Sequence, residues 1–163
     1  MNNLIKLVDG TPQIVSDDPW TLLREGEATP AGALILPLPL WRQSCAEQGG
    51  PHAVWLGPDD EPEQLQPWLA SLPLIALDFP SFRDGRAYSQ AYLLRSRLGW
   101  RGELRAVGDV LRDQLSHMRQ CGFDAFAVRA DKPLDDALKG LAGLSVQYGR
   151  SVLEPRPLFR RRG

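Results

Sequence analysis

The 163 residues carry 19 Lys plus Arg against 20 Asp plus Glu, which leaves room for one ordinary domain of nearly zero net charge and not for two separate cores. An apolar fraction of 43% supports a packed interior and argues against disorder. The longest apolar stretch, residues 31–41, is 11 residues long and broken by Pro37 and Pro39, far short of the roughly 20 residues of a membrane helix. With no membrane segment and no export signal at the N-terminus, a cytoplasmic protein is expected.

In chain order, residues 4–8, the pair Asp9-Gly10 and residues 13–15 read as an N-terminal β-hairpin whose Pro12 suits an edge. Residues 16–30 read as a polar loop with a helical turn near residues 20–24. A strand over 33–36 then leads into a helix over 38–48 that Gly49-Gly50 stops, followed by a strand over 53–56. Asp60, Glu61 and Pro62 mark a helix start, and that helix is expected to run to about residue 71. A strand over 74–79, a helix over 86–98, a strand over 103–107, a helix over 109–120 and a strand over 125–128 follow. A last helix over 134–144, introduced by Pro133, and an edge strand over 146–153 precede a basic tail.

The alternation predicts a single α/β domain over 1–163 with about five mainly parallel strands, open-sheeted or half-barrel-like, preceded by the hairpin. Its parts are hairpin and loop at 1–30, βα repeats at 31–153 and the tail at 154–163. Short strands apolar at every position are expected to be buried on both faces.

The neutral total conceals a division. Residues 1–82 have net charge −8 and residues 83–163 net +7, with 16 of the 19 basic residues Arg. Arg favours planar, bidentate pairing with carboxylates and oxyanions. Either the two halves pair across the fold, or the second half offers a cationic surface. The Arg residues are mixed with acids, so no nucleic-acid partner is expected.

Cys45, Cys121, His52 and His117 are too few and too scattered for a metal or iron–sulfur site. Both cysteines read as buried thiols. Glycine-rich nucleotide, phosphate-loop, dithiol and serine-hydrolase motifs are absent, so no cofactor is evident in the sequence.

In parallel α/β sheets, ligands gather beyond the carboxyl ends of the strands. That rule selects the loops beginning at Asp78, Gly108 and Arg129. Asp84-Gly85 precedes a helix start, where Asp84 serves as a cap and Gly85 as a left-handed residue, or where Arg86, Tyr88 and Ser89 face an oxyanion. Asp109 has the same two readings, as cap or as ligand group beside Arg112 and Asp113. Asp113 and His117 are spaced to touch on one helix face.

The run Phe79-Pro80-x-Phe82-x-Asp84-Gly85-Arg86-x-Tyr88-Ser89, then Leu94-Arg95, Gly102-Glu103-Leu104-Arg105-Ala106-x-Gly108-Asp109-Val110, Asp113-Gln114 and Gly122-Phe123-Asp124-Ala125-Phe126 resembles the bacterial domain-of-unknown-function family DUF934. Ala87 stands where the family often has Gly. The resemblance implies a role in assimilatory sulfate reduction, since members are described as oxidoreductases of sulfite reduction. Lacking a redox motif of its own, the chain is expected to be an accessory protein that docks on the sulfite reductase hemoprotein for electron delivery or assembly. Arg95, Arg97, Arg160, Arg161 and Arg162 are the candidate docking residues. The alternative is a small oxidoreductase or oxyanion-binding enzyme of the same pathway, with the oxyanion held by Arg86, Arg105 and Arg112 near Asp84 and Asp109.

Overall fold

A computed structural model describes residues 1, 3–28, 30–48, 52–81 and 83–129. The helix expected over 134–144, the strand over 146–153 and the tail with Arg160, Arg161 and Arg162 lie outside the described residues. The chain opens with strands β1 (Leu4–Val8) and β2 (Thr11–Val15). Asp9 and Gly10 between them both take positive φ, 53° and 81°, the backbone of a tight hairpin turn. β3 (Thr21–Leu22), β4 (Leu34–Pro37), α1 (Leu38–Gln48), β5 (Ala53–Leu56), a 3-10 helix at Pro62–Trp68, β6 (Leu74–Phe79), α2 (Arg86–Tyr92), a π-helical turn at Leu93–Arg97, β7 (Glu103–Gly108), a 3-10 turn at Arg112–Gln114, α3 (Leu115–Gln120) and β8 (Ala125–Ala127) follow.

Among the described residues, the eight strands form one sheet in the order β2-β1-β8-β7-β6-β5-β4-β3. β3 to β8 are mutually parallel, each beside its predecessor, and the hairpin adds antiparallel through β1, with Ile5 opposite Phe126. The expected α/β class with a leading hairpin is therefore present, with six parallel strands and a curled, half-barrel sheet. Right-handed crossovers between consecutive neighbours all return on the same side, so the described helices lie on one face.

Alternation along each strand sorts the core accordingly. Leu34, Leu36, Val54, Leu56, Ile75, Leu77, Phe79, Leu104, Ala106 and Phe126 face the helices, packing with Leu65, Ala91, Leu94, Leu115 and Met118. Ile35, Ala53, Trp55, Leu74, Ala76 and Val107 face the opposite, concave side, where Trp20 and Leu22 pack on them.

What lies over the concave face is the chain itself. β2 and β3 are the outermost strands of the sheet among the described residues, yet residues 16–20 join them directly. In a flat eight-stranded sheet those edges would be about 34 Å apart, whereas the Cα steps from Val15 to Thr21 reach about 23 Å at most. The connection is too short for a flat sheet, so the sheet curls beneath it and residues 16–20 become a strap. Arg105, in the middle of β7 and fully buried, anchors the strap. Its guanidinium donates to Asp18 Oδ2 and Oδ1 at 2.9 and 3.0 Å and its Nε to Glu103 Oε2 at 2.7 Å, while Lys6 Nζ reaches Glu103 Oε1 at 2.8 Å.

Three expectations need correcting. The helical turn near residues 20–24 is strand β3, because the Thr21 and Leu23 N–H groups donate to Ala33 and Ile35 carbonyls of the β4 segment. The helix expected over 62–71 is a 3-10 helix ending at Trp68, with Pro67, which has no N–H to donate, inside it. The helix expected from Asp109 begins only near Arg112, because Asp109 N–H is bonded to the Phe79 carbonyl at 2.7 Å and Leu111 is extended. Of the two readings of the charge division, pairing between halves is visible in Lys6–Glu103, Arg86–Asp59 and Arg105–Asp18.

Candidate functional site

Four parallel strands deliver ionic groups to one end of the half-barrel. Arg24 follows β3, Asp78 lies near the end of β6, Gly108 ends β7 with Asp109 next after it, and Arg129 follows β8. Together with Phe79 and Pro80 they line a cleft of about 480 Å³. Arg24 is placed by Trp55: the indole Nε1 donates to the Leu23 carbonyl at 2.8 Å, and the guanidinium carbon of Arg24 sits 4.9 Å from the Trp55 ring centroid. Such stacking favours a cation over an indole face. Arg129 is placed by its own N–H, which donates to the Val110 carbonyl at 3.1 Å.

The charges are layered. Arg24 Nη2 lies 2.9 Å from Asp78 Oδ1, with side-chain exposures of 38% and 10%; Arg129 Nη1 donates to Asp109 Oδ1 at 2.9 Å, with exposures of 39% and 20%. Carboxylates form the floor and guanidinium groups the lip, so the surface an incoming molecule meets is cationic although the four formal charges cancel. The Arg24 contact is an ion pair without hydrogen-bond alignment, and Asp78 Oδ1 is buried without a hydrogen bond. A buried carboxylate oxygen in that condition favours a donor in the cleft.

Gly108 makes this floor possible. Its φ is +93°, and a Cβ there would lie 2.5 Å from the Phe79 carbonyl oxygen and 2.6 Å from Asp78 Oδ1. Only glycine lets β7 turn out of the sheet so close to β6.

Of the residues singled out in the sequence, Asp109 lines the cleft. Arg86 is turned away to other partners, with Nη1 on Asp59 Oδ1 and Nη2 on Asp84 Oδ2, both at 2.7 Å. Asp84 Oδ1 also accepts the Arg86 N–H at 3.0 Å, so Asp84 does bond the helix start, and the Arg86 hydrogen bonds hold its carboxyl below the usual value. Gly85 has φ −93°, not the left-handed angle expected of it. The Asp-Gly-Arg run is thereby a clip between the loops after β5 and β6, helped by Gln90 Nε2, which donates to the Gly57 and Asp60 carbonyls at 2.8 Å.

Tyr88 packs edge-on to Phe79 and lies 4.4 Å from the His117 ring, and burial pushes its phenol up. Ser89 is exposed on α2, and Arg112 and Asp113 are exposed in the 3-10 turn. Asp113 and His117 do not share one α-helix; His117 Nε2 is instead 4.0 Å from Cys121 Sγ, a half-buried thiol that burial pushes up. Arg105 belongs to the strap on the concave face, so Arg86, Arg105 and Arg112 do not line one cleft. Arg97 is exposed, but Arg95 is not available for docking. Its side chain is 7% exposed, with Nε on the Gly122 carbonyl at 2.9 Å and Nη1 on the Trp100 and Gly102 carbonyls at 2.8 Å.

Arg24, Asp78, Gly108 and Arg129 were accessible to sequence reasoning to different degrees. The strand-end rule reaches the loops of the last three, and Asp78 stands out as the one charge in the otherwise apolar run Leu74–Phe79. Arg24 carries no such signal. Among the described residues no group of three or more His, Cys, Asp or Glu side chains gathers as a metal site, and no helix is long and apolar enough to cross a membrane.

Residues 53–159 match the profile of a family described as bacterial protein of unknown function, DUF934. The chain belongs to this DUF934 family. No curated protein and no solved structure matches it. In this DUF934 protein Asp78, Gly108, Asp109 and Arg129 fall inside the matched range, whereas Asp18, Trp20 and Arg24 precede it.

Proposed function

We propose that this DUF934 protein acts in the cytoplasm as an accessory of the sulfite reductase hemoprotein in assimilatory sulfate reduction, supporting electron delivery or assembly, and that the cleft between Arg24 and Arg129 takes up an oxyanion there. The pathway rests on the family resemblance. The observation that carries the binding role is the layering of the cleft: two partly exposed guanidinium groups above a buried and a partly buried carboxylate, at the strand ends where parallel sheets place ligands. Exposed Arg97 remains a candidate for the docking surface.

Isothermal titration with sulfite, sulfate and phosphate tests the cleft. Binding that weakens at least tenfold in Arg129→Gln is expected; absence of binding by all three removes the oxyanion role. Growth of a deletion strain on sulfide but not on sulfate or sulfite tests the pathway, and growth on all three refutes it. Association with purified sulfite reductase at low salt is the expected sign of an accessory. The same cleft also suits a small oxidoreductase or oxyanion-binding enzyme of the pathway, and a stoichiometric flavin or heme spectrum in the purified protein would decide for the oxidoreductase.

A further inference from the structure

Gly108 is shared between the cleft and a second cavity of about 370 Å³ on the concave side, whose other walls include Trp20 and Leu22 from the strap and β3, Val107 from β7 and Ala127 from β8. The two spaces differ in chemistry. One is bounded by Arg24, Asp78, Asp109 and Arg129, the other mainly by apolar side chains. Each alone is in the range of about 300–1,000 Å³ that receives small organic molecules.

A bare inorganic oxyanion would meet the guanidinium lip and leave the apolar cavity unused. Asp78 Oδ1, in a side chain nine-tenths buried, has the Arg24 ion pair at 2.9 Å but no aligned hydrogen bond, and so suits an O–H or N–H donor, which sulfate lacks. The small side chain of Ala127 and the bare backbone of Gly108 leave the space between strap and sheet open to a flat group beside the indole of Trp20.

Resting on the oxyanion-binding reading of the same cleft, we infer that the physiological ligand is an organic anion: an acidic head held between Arg24 and Arg129, a hydroxyl or amine donor toward Asp78, and a flat apolar body lodged behind Gly108 against Trp20 and Leu22. The strap thus supplies a wall of the site as well as a cover for the sheet.

Titration of the purified chain with methanesulfonate and benzenesulfonate, which share a head group and differ in the body, tests this. Half-covering a phenyl ring against apolar walls is worth about tenfold in affinity, so benzenesulfonate should bind at least tenfold more tightly. Trp20→Ala should bring its affinity down to that of methanesulfonate. Ala127→Leu, which fills the cavity without removing a wall, should do the same, and thermal midpoints near wild type would show that either variant is folded. Arg129→Gln should weaken both ligands alike. Equal affinity for the two probes overturns the inference while leaving the oxyanion reading intact. A preference that survives both Trp20→Ala and Ala127→Leu overturns it too, because the ring then lies elsewhere. Binding of neither sulfonate nor of sulfite removes the oxyanion reading and the inference with it.

Discussion

Replacing Gly108 by Ala separates two costs that the same residue imposes. The first is conformational: φ of +93° is a backbone setting that L side chains rarely adopt, worth about 1–2 kcal/mol. The second is steric. The new methyl group would stand 2.5 Å from the Phe79 carbonyl oxygen, and because that oxygen is backbone already bonded to Asp109 N–H, relief requires moving the end of β6 or β7. Overpacking of this kind costs about 1–3 kcal/mol, so Gly108→Ala should lose roughly 2–5 kcal/mol in all. For a chain of this size that corresponds to a fall of roughly 5–20 °C in the thermal midpoint. Gly99→Ala is the matched control, since Gly99 has φ +73° with nothing within 4 Å of the added methyl; it should cost about 1–2 kcal/mol. Circular dichroism melts of both variants, with urea titrations for the free energies, give the difference directly. Equal losses in the two would refute the close approach of β6 and β7 at the cleft floor.

Arg105→Ala leaves Asp18 and Glu103 without their shared cation beneath the strap and should cost about 3–5 kcal/mol in urea titrations. Burial alone would raise the Asp18 carboxyl, but the hydrogen bond and charge of Arg105 outweigh it and hold the group below its usual value. A depressed carboxyl contributes stability that is complete above its unfolded value near pH 4 and is lost as pH falls through the lower folded value. The stability difference between wild type and Asp18→Asn should therefore be constant from pH 5 to 8 and shrink below about pH 4; a constant difference down to pH 2 refutes the pairing. Comparison with Asp18→Asn is needed because Asp124, pushed up by burial despite Arg95, titrates in the opposite sense. Arg95→Ala should destabilise by about 3–5 kcal/mol, since three carbonyls lose a charged donor, and an Arg95→Ala protein with wild-type urea midpoint would contradict its burial. Arg86→Ala should leave both the thermal midpoint and sulfite affinity nearly unchanged, and a loss of affinity would return Arg86 to the site.

The strands that were plain in the sequence are those buried on both faces. Residues 53–56 and 74–79 are apolar or nearly so at every position and bounded by Gly or Pro, and helices on one side with the strap on the other account for that. β3 was hidden because two residues, Thr21 and Leu22, have no periodicity, and they pair only because β4 lies alongside. The helix expected from Asp109 was overextended because its first residues are held extended by bonds to Phe79 and Arg129, partners distant in sequence. For the site, strand order matters more than motif. The rule of carboxyl ends reaches Asp78, Gly108, Asp109 and Arg129, but Arg24 joins them only once the chain has crossed the concave face. Arg105 misleads for the converse reason: a charge in a strand suggests an outward position, and here the opposite side of the sheet is covered.

The pairing of β1 with β8 sets an order of assembly. Leu4 lies opposite Ala127, so β1, paired along its length with β2, finds its only other partner strand among the last described residues. Until that partner exists, the hairpin has only its own two strands, too few for independent stability, and β3 to β7 expose an unfinished edge and an uncovered concave face. Closure over so long a loop is slow, and the waiting chain carries the unpaired strand edge that promotes association between molecules. Deleting the hairpin and strap would thus be felt first as insolubility during synthesis, before any effect on the cleft could be measured.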